Sequence, residues 1–123
     1  MRTGRSLHHV NVVVPPGATD HVVPFYTDVL GLVRVPKPPE AGSSSGAWLD
    51  VAPGMQVHIS ERPGEPHPDA HFAVVVDDFD AVRRRLEEAG APWTDQSPIF
   101  GGRRGFTRDP AGNRVEVIEA VEP

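Results

Sequence analysis

The chain has 123 residues, a formal net charge of −5, 38% apolar and 24% charged residues, and no cysteine. This length suits one domain, or two very small lobes sharing a core. An acidic chain whose basic runs are as short as Arg83-Arg84-Arg85 and Arg103-Arg104 lacks the charge of a general nucleic-acid binder. No apolar run approaches the roughly 18 residues of a membrane span. Lack of cysteine excludes thiolate metal sites and a disulfide framework, and it fits a reducing compartment, so a cytoplasmic location is expected.

The basic start, residues 1–6, leads into an apolar stretch that stops at Pro15-Pro16 and reads as a strand rather than a signal peptide. Residues 7–14 (LHHVNVVV) alternate: Val10, Val12 and Val14 share one face, His9, Asn11 and Val13 the other. Thr19 or Asp20 is placed to N-cap a helix. Its apolar positions are Val22, Phe25 or Tyr26, and Val29 or Leu30, with Pro24 near the first turn and Gly31 as the left-handed stop. A short strand at 32–35 and a Pro-, Gly- and Ser-rich loop at 36–46 follow. Residues 47–51 and 55–60 form a hairpin around Ala52-Pro53-Gly54, with Gln56, His58 and Ser60 on one face.

The proline-rich linker 61–69 (ERPGEPHPD) comes next, and then the pattern restarts. Residues 70–76 read as a strand with His71, Ala73 and Val75 on one face. Asp77 or Asp78 caps a helix with the stripe Phe79, Val82, Leu86 and Ala89, and Gly90 closes it. Strands are expected at 91–95 and 103–108, around a loop at 96–102. Asp109-Pro110-Ala111-Gly112-Asn113 is a turn in which Gly112 and Asn113 tolerate positive φ. It feeds a final strand that carries Arg114, Glu116 and Ile118 on one face.

Strand, helix and three strands thus occur twice, at a spacing of about 60 residues. The expected fold is α+β: module 7–60 and module 70–119, each βαβββ, joined by linker 61–69 into one domain. A curved mixed sheet surrounds a cavity, with the helices outside. His9 and His71 open the two units; His58 and Glu116 sit on their last strands. All four lie opposite the apolar runs that pack under helices, so they are expected to face one cavity. Imidazole and carboxylate are ligand types for Zn, Ni, Co, Mn or Fe.

With HVNVVV, FYTDVLGL, HFAVVVDD and DPAGNRVEVIE in this order, the chain resembles the vicinal oxygen chelate superfamily, also called the glyoxalase/bleomycin resistance/dioxygenase superfamily. The resemblance spans residues 7–119. It implies one divalent metal ion held by His9, His71 and Glu116, with His58 as fourth ligand or general base. It also implies a small-molecule substrate and a homodimer, with cavities closed within one chain or across two.

The implied chemistry is metal-assisted stabilisation of an enolate-like or oxygenated intermediate. Lyase or isomerase chemistry of the glyoxalase type is the favoured expectation. Extradiol-type ring cleavage and metal-free binding of an antibiotic or similar compound are the alternatives. Departures from the pattern are visible: glyoxalase I implies a glutamate where this chain has His58, and a glutathione-binding arginine where it has Val13. Gln56, Trp48 and Arg103 are further candidates for substrate contact.

Overall fold

The computed structural model describes residues 4–121; residues 1–3, part of the basic start, and the last two positions lie outside the description. Strand β1 (His9–Val14) buries Val12 and Val14 and leaves His9 and Asn11 exposed. Helix α1 (Thr19–Pro24) has Ala18 as N-cap, with no side-chain cap of its own. Neither Thr19 nor Asp20 caps it. Instead Glu61, at the end of the neighbouring strand, accepts from Gly17 N (2.9 Å) and from the Thr19 hydroxyl (2.6 Å). Pro24 ends α1 rather than lying in its first turn. Because proline has no N–H to continue the ladder, the chain widens into a π-helical turn, Phe25–Val29, closed by Leu30 N to Phe25 O at 3.2 Å.

Strands β2 (Val33–Val35), β3 (Ala47–Ala52) and β4 (Met55–Glu61) complete the first half. The second half comprises β5 (His71–Val76), α2 (Phe79–Glu88), β6 (Thr94–Gln96), β7 (Arg104–Arg108) and β8 (Arg114–Glu119). Two four-stranded sheets result, ordered β1-β4-β3-β2 and β5-β8-β7-β6. In each, the first strand pairs parallel with the last, and the other pairings are antiparallel. This is the expected βαβββ repeat of an α+β fold. Among the described strands, however, the sheets are two rather than one continuous surface. Strand β6 is also shorter than the 91–95 run, because Pro92 offers no ladder donor and Trp93 packs on Phe79.

The core is shared. Val12, Val14, Leu49, Val57 and Ile59 from the first sheet join Val74, Val76, Val115 and Val117 from the second, packed with Val22, Tyr26, Phe79, Val82 and Leu86 from the helices. Asp78 caps α2 by accepting from Ala81 N at 3.0 Å. Each sheet therefore has one face under helices and one open face. No helix among the described residues is long and apolar enough to cross a membrane.

The turn before β8 sets that strand's register. Asp109 Oδ1 accepts from the backbone N–H of Ala111 and of Asn113, both at 2.9 Å. Gly112 takes φ 90°, whereas Asn113 stays at negative φ. Asn113 acts through its side chain, donating to Val13 O (2.9 Å) and to Asp109 Oδ2 (3.0 Å). It thereby ties the second half's turn to β1.

Candidate functional site

Strand parity places the polar candidates on the open faces. On the first sheet, His58 lies opposite Trp48 on β3 and Asn11 on β1, and His9 lies opposite Gln56. The His58 ring is sandwiched: Trp48 stacks on it at 4.4 Å and 3°, His9 at 4.0 Å and 15°. Asp50 Oδ1 accepts from Gln56 Nε2 (2.8 Å), which turns the Gln56 carbonyl toward His58 Nε2, also at 2.8 Å. An amide oxygen only accepts, so His58 donates from Nε2, and Nδ1 of the neutral ring is left as its basic nitrogen. Partial burial, then the charges of His9, His8 and Lys37, hold the His58 pKa below its usual 6.5 and favour that neutral form. His8 contacts His9 through their Nδ1 atoms at 3.0 Å. With His9 as the donor there, its Nε2 lone pair is free.

The second sheet carries the carboxylate. Glu116 is 5% exposed. Its Oε2 accepts from Arg104 Nη1 at 2.9 Å, and Arg104 Nε donates to Ser97 O at 2.7 Å. Its Oε1 lies 3.2 Å from His71 Nε2. On the other side of the ring, His71 Nδ1 is 2.9 Å from the Asp69 carbonyl, again an acceptor only. His71 therefore donates from Nδ1, and in the neutral ring Nε2 would present a lone pair to Glu116 Oε1. Two acceptors at that separation repel unless a cation lies between them: a proton, which makes an ion pair, or a metal. Metal bonds of about 2.0–2.2 Å at roughly 90–109° place two donors some 2.8–3.6 Å apart. The 3.2 Å spacing fits such a pair, and Arg104 leaves Oε1 free by holding Oε2.

His9 and His58 come together, and so do His71 and Glu116, but the four expected residues do not meet within one chain. Among the described residues, no group of three or more His, Asp or Glu side chains is arranged to hold an ion. Nor can nearly parallel rings 4.0 Å apart both aim an in-plane lone pair at one ion. Gln56 and Trp48 do lie on the open face with His58. Arg103 lies elsewhere, bound to Glu119 Oε2 (2.7 Å) and Asp80 Oδ1 (2.9 Å). Arg104, its neighbour, is the arginine in the site. Phe106, directly opposite Glu116, packs edge-on against His71 at 5.2 Å. Alternation along 103–108 puts Arg104, Phe106 and Arg108 on one face, but their register against Glu116 follows only from strand pairing.

The sequence profile of the Glyoxalase/Bleomycin resistance protein/Dioxygenase superfamily matches residues 6–117. No curated protein matches the sequence significantly. A glyoxalase family protein from Bacillus anthracis is 28% identical, with a TM-score of 0.85, over 98% of this chain and 100% of that one. The lactoylglutathione lyase of Agrobacterium tumefaciens is 23% identical, with a TM-score of 0.70, over 97% and 96% of the two chains. TnmS3, an antibiotic-binding protein from Streptomyces sp. CB03234, is also 23% identical, with a TM-score of 0.69, over 98% and 100%. The last two likenesses concern the fold alone, and their names span catalysis and binding. By its repeat, its topology and the extent of the profile match, the chain belongs to the Glyoxalase/Bleomycin resistance protein/Dioxygenase superfamily.

Proposed function

We propose that this chain is a divalent-metal-dependent enzyme acting on a small oxygen-bearing substrate, with lyase or isomerase chemistry of the glyoxalase type. The observation behind this is the 3.2 Å approach of His71 Nε2 to Glu116 Oε1, with His71 Nδ1 turned to Asp69 O. Such a pair supplies two ligands of a 2-His-1-carboxylate set. The third is His9, and because it lies on the other sheet of its own chain, it is contributed by a second copy. Each open face carries one well-exposed branched side chain for such a contact, Val33 on the first (62% exposed) and Val75 on the second (63%).

A bound dication supplies Lewis acidity toward substrate oxygens. The protein's own part is to orient and to move protons. Arg104 fixes the Glu116 carboxylate, and Asp69 O fixes the His71 ring. His58, neutral and donating from Nε2 to Gln56, offers Nδ1 to accept a substrate proton. Trp48, stacked on the far side of His58, holds that ring in place.

The second reading is a metal-free binding protein in which a proton on His71 Nε2 completes an ion pair with Glu116. Metal content separates the two. Protein purified without added metal is expected to carry a first-row dication that Glu116→Ala loses. Folded wild-type protein that takes up no such ion after incubation with Zn, Ni, Co, Mn or Fe would contradict the enzyme reading.

A further inference from the structure

Arg108 and Arg114 occupy directly opposed positions on β7 and β8, and like charges in that relation destabilise a sheet. Neither is matched by a buried acid. Arg108 donates to two carbonyls, Gly112 O (3.0 Å) and Pro68 O (3.1 Å), and it forms no ion pair among the described residues. Arg114 reaches only Asp69, at 3.7 Å, and that carboxylate side chain is 83% exposed. The Arg114 guanidinium lies 3.4 Å from the centroid of the Phe106 ring. Its Nε is buried and has no hydrogen-bond partner. A buried charged donor without a partner is costly, and native proteins leave few unexplained.

Both arginines line one cavity of about 370 Å³ on the open face of the second sheet, together with Phe106, Thr94 and Gln96. Phe106 is also the register partner of Glu116, so this cavity adjoins the His71–Glu116 pair. Along the strand positions of that face, Arg104, Arg108 and Arg114 stand against Glu116 as the one acid, and Arg104 is already committed to it. The cavity is thus a cationic recess in an acidic chain. An aromatic wall and uncharged donors flank it.

We propose that this recess binds the anionic group of a small organic acid, a carboxylate or a phosphate ester. Arg114 supplies the charge-assisted hydrogen bonds, Arg108 adds positive potential, and the carbon skeleton rests on Phe106. The acid's remaining oxygens then extend toward His71 and Glu116. As a substrate subsite this assignment rests on the enzyme reading above; as an anion site it requires no metal.

Titration of the full-length protein with benzoate, phenyl phosphate and neutral benzamide, followed by calorimetry, tests it. At least one anion is expected to bind saturably and benzamide not to bind. Arg114→Gln is expected to weaken the anion roughly tenfold or more, and Arg103→Gln, on the outer face, to leave it unchanged. Treatment with a chelator is expected to leave binding intact, so the metal reading can fail without this one. If Arg114→Gln does not fold, Arg114→Lys, which keeps the charge but loses the planar fork, is expected to bind more weakly than wild type. Absence of saturable binding, undiminished binding by the folded Arg114 variant, or loss of binding on chelation would overturn the assignment.

Discussion

Asp109 is a buried carboxylate, 4% exposed, that closes its own turn and also ties the two halves of the fold together. Tyr26, from the π-helical turn of the first half, donates its hydroxyl to Asp109 Oδ2 at 2.7 Å. Asn113 completes the link to β1 through Val13 O. Burial, then the Asp109 charge and hydrogen bond, pushes the Tyr26 phenol well above its ordinary range. Its contribution to stability is therefore whole below the unfolded value of 10.0 and is lost as pH rises through the folded one. Tyr26→Phe removes one buried hydrogen bond and is expected to cost about 1–2 kcal/mol. Asp109→Ala strands the phenol and two turn N–H groups and is expected to cost about 3 kcal/mol or more. Urea unfolding of the two variants checks the order; equal costs would contradict the network.

At the level of elements, Arg103 shows where local reading stops. It fastens α2 to the end of β8 through Asp80 and Glu119 and covers Phe79, 4.7 Å from the ring centroid. Hydrogen bonds from Arg103 lower the pKa of Asp80 below 3.8 and of Glu119 below 4.5. The stability they add is present above those unfolded values and disappears as pH falls through the lowered folded ones. Acid unfolding monitored by circular dichroism is expected to begin at higher pH in Arg103→Ala than in wild type. Coincident acid transitions would show that the cluster adds nothing, as many exposed pairs do.

Sequence alternation was enough to place His9, His58, His71 and Glu116 on the open faces, because parity is local. The Gly31 and Gly90 stops were legible for the same reason; both take positive φ. What stayed hidden depends on pairing across long separations. The Glu61 cap of α1, the choice of Arg104 over Arg103, and the bond from Tyr26 to a residue 83 positions away all require the assembled sheets.

Across the whole molecule, the repeat produces two similar half-sites that one chain keeps apart. The first sheet offers His9 beside the stacked His58; the second offers His71 and Glu116, 3.2 Å apart. Neither half is a metal site by itself. In the proposed enzyme, His9 of one copy completes the His71–Glu116 pair of another. Metal analysis of a co-expressed mixture of His9→Ala and Glu116→Ala copies tests it most directly. Each variant alone is expected to be empty. Random pairing makes half the dimers mixed, each with one intact site, so the mixture should regain about a quarter of the wild-type metal. A mixture as empty as its parents, or a His9→Ala protein that keeps its full metal, would show that the site is not shared between copies.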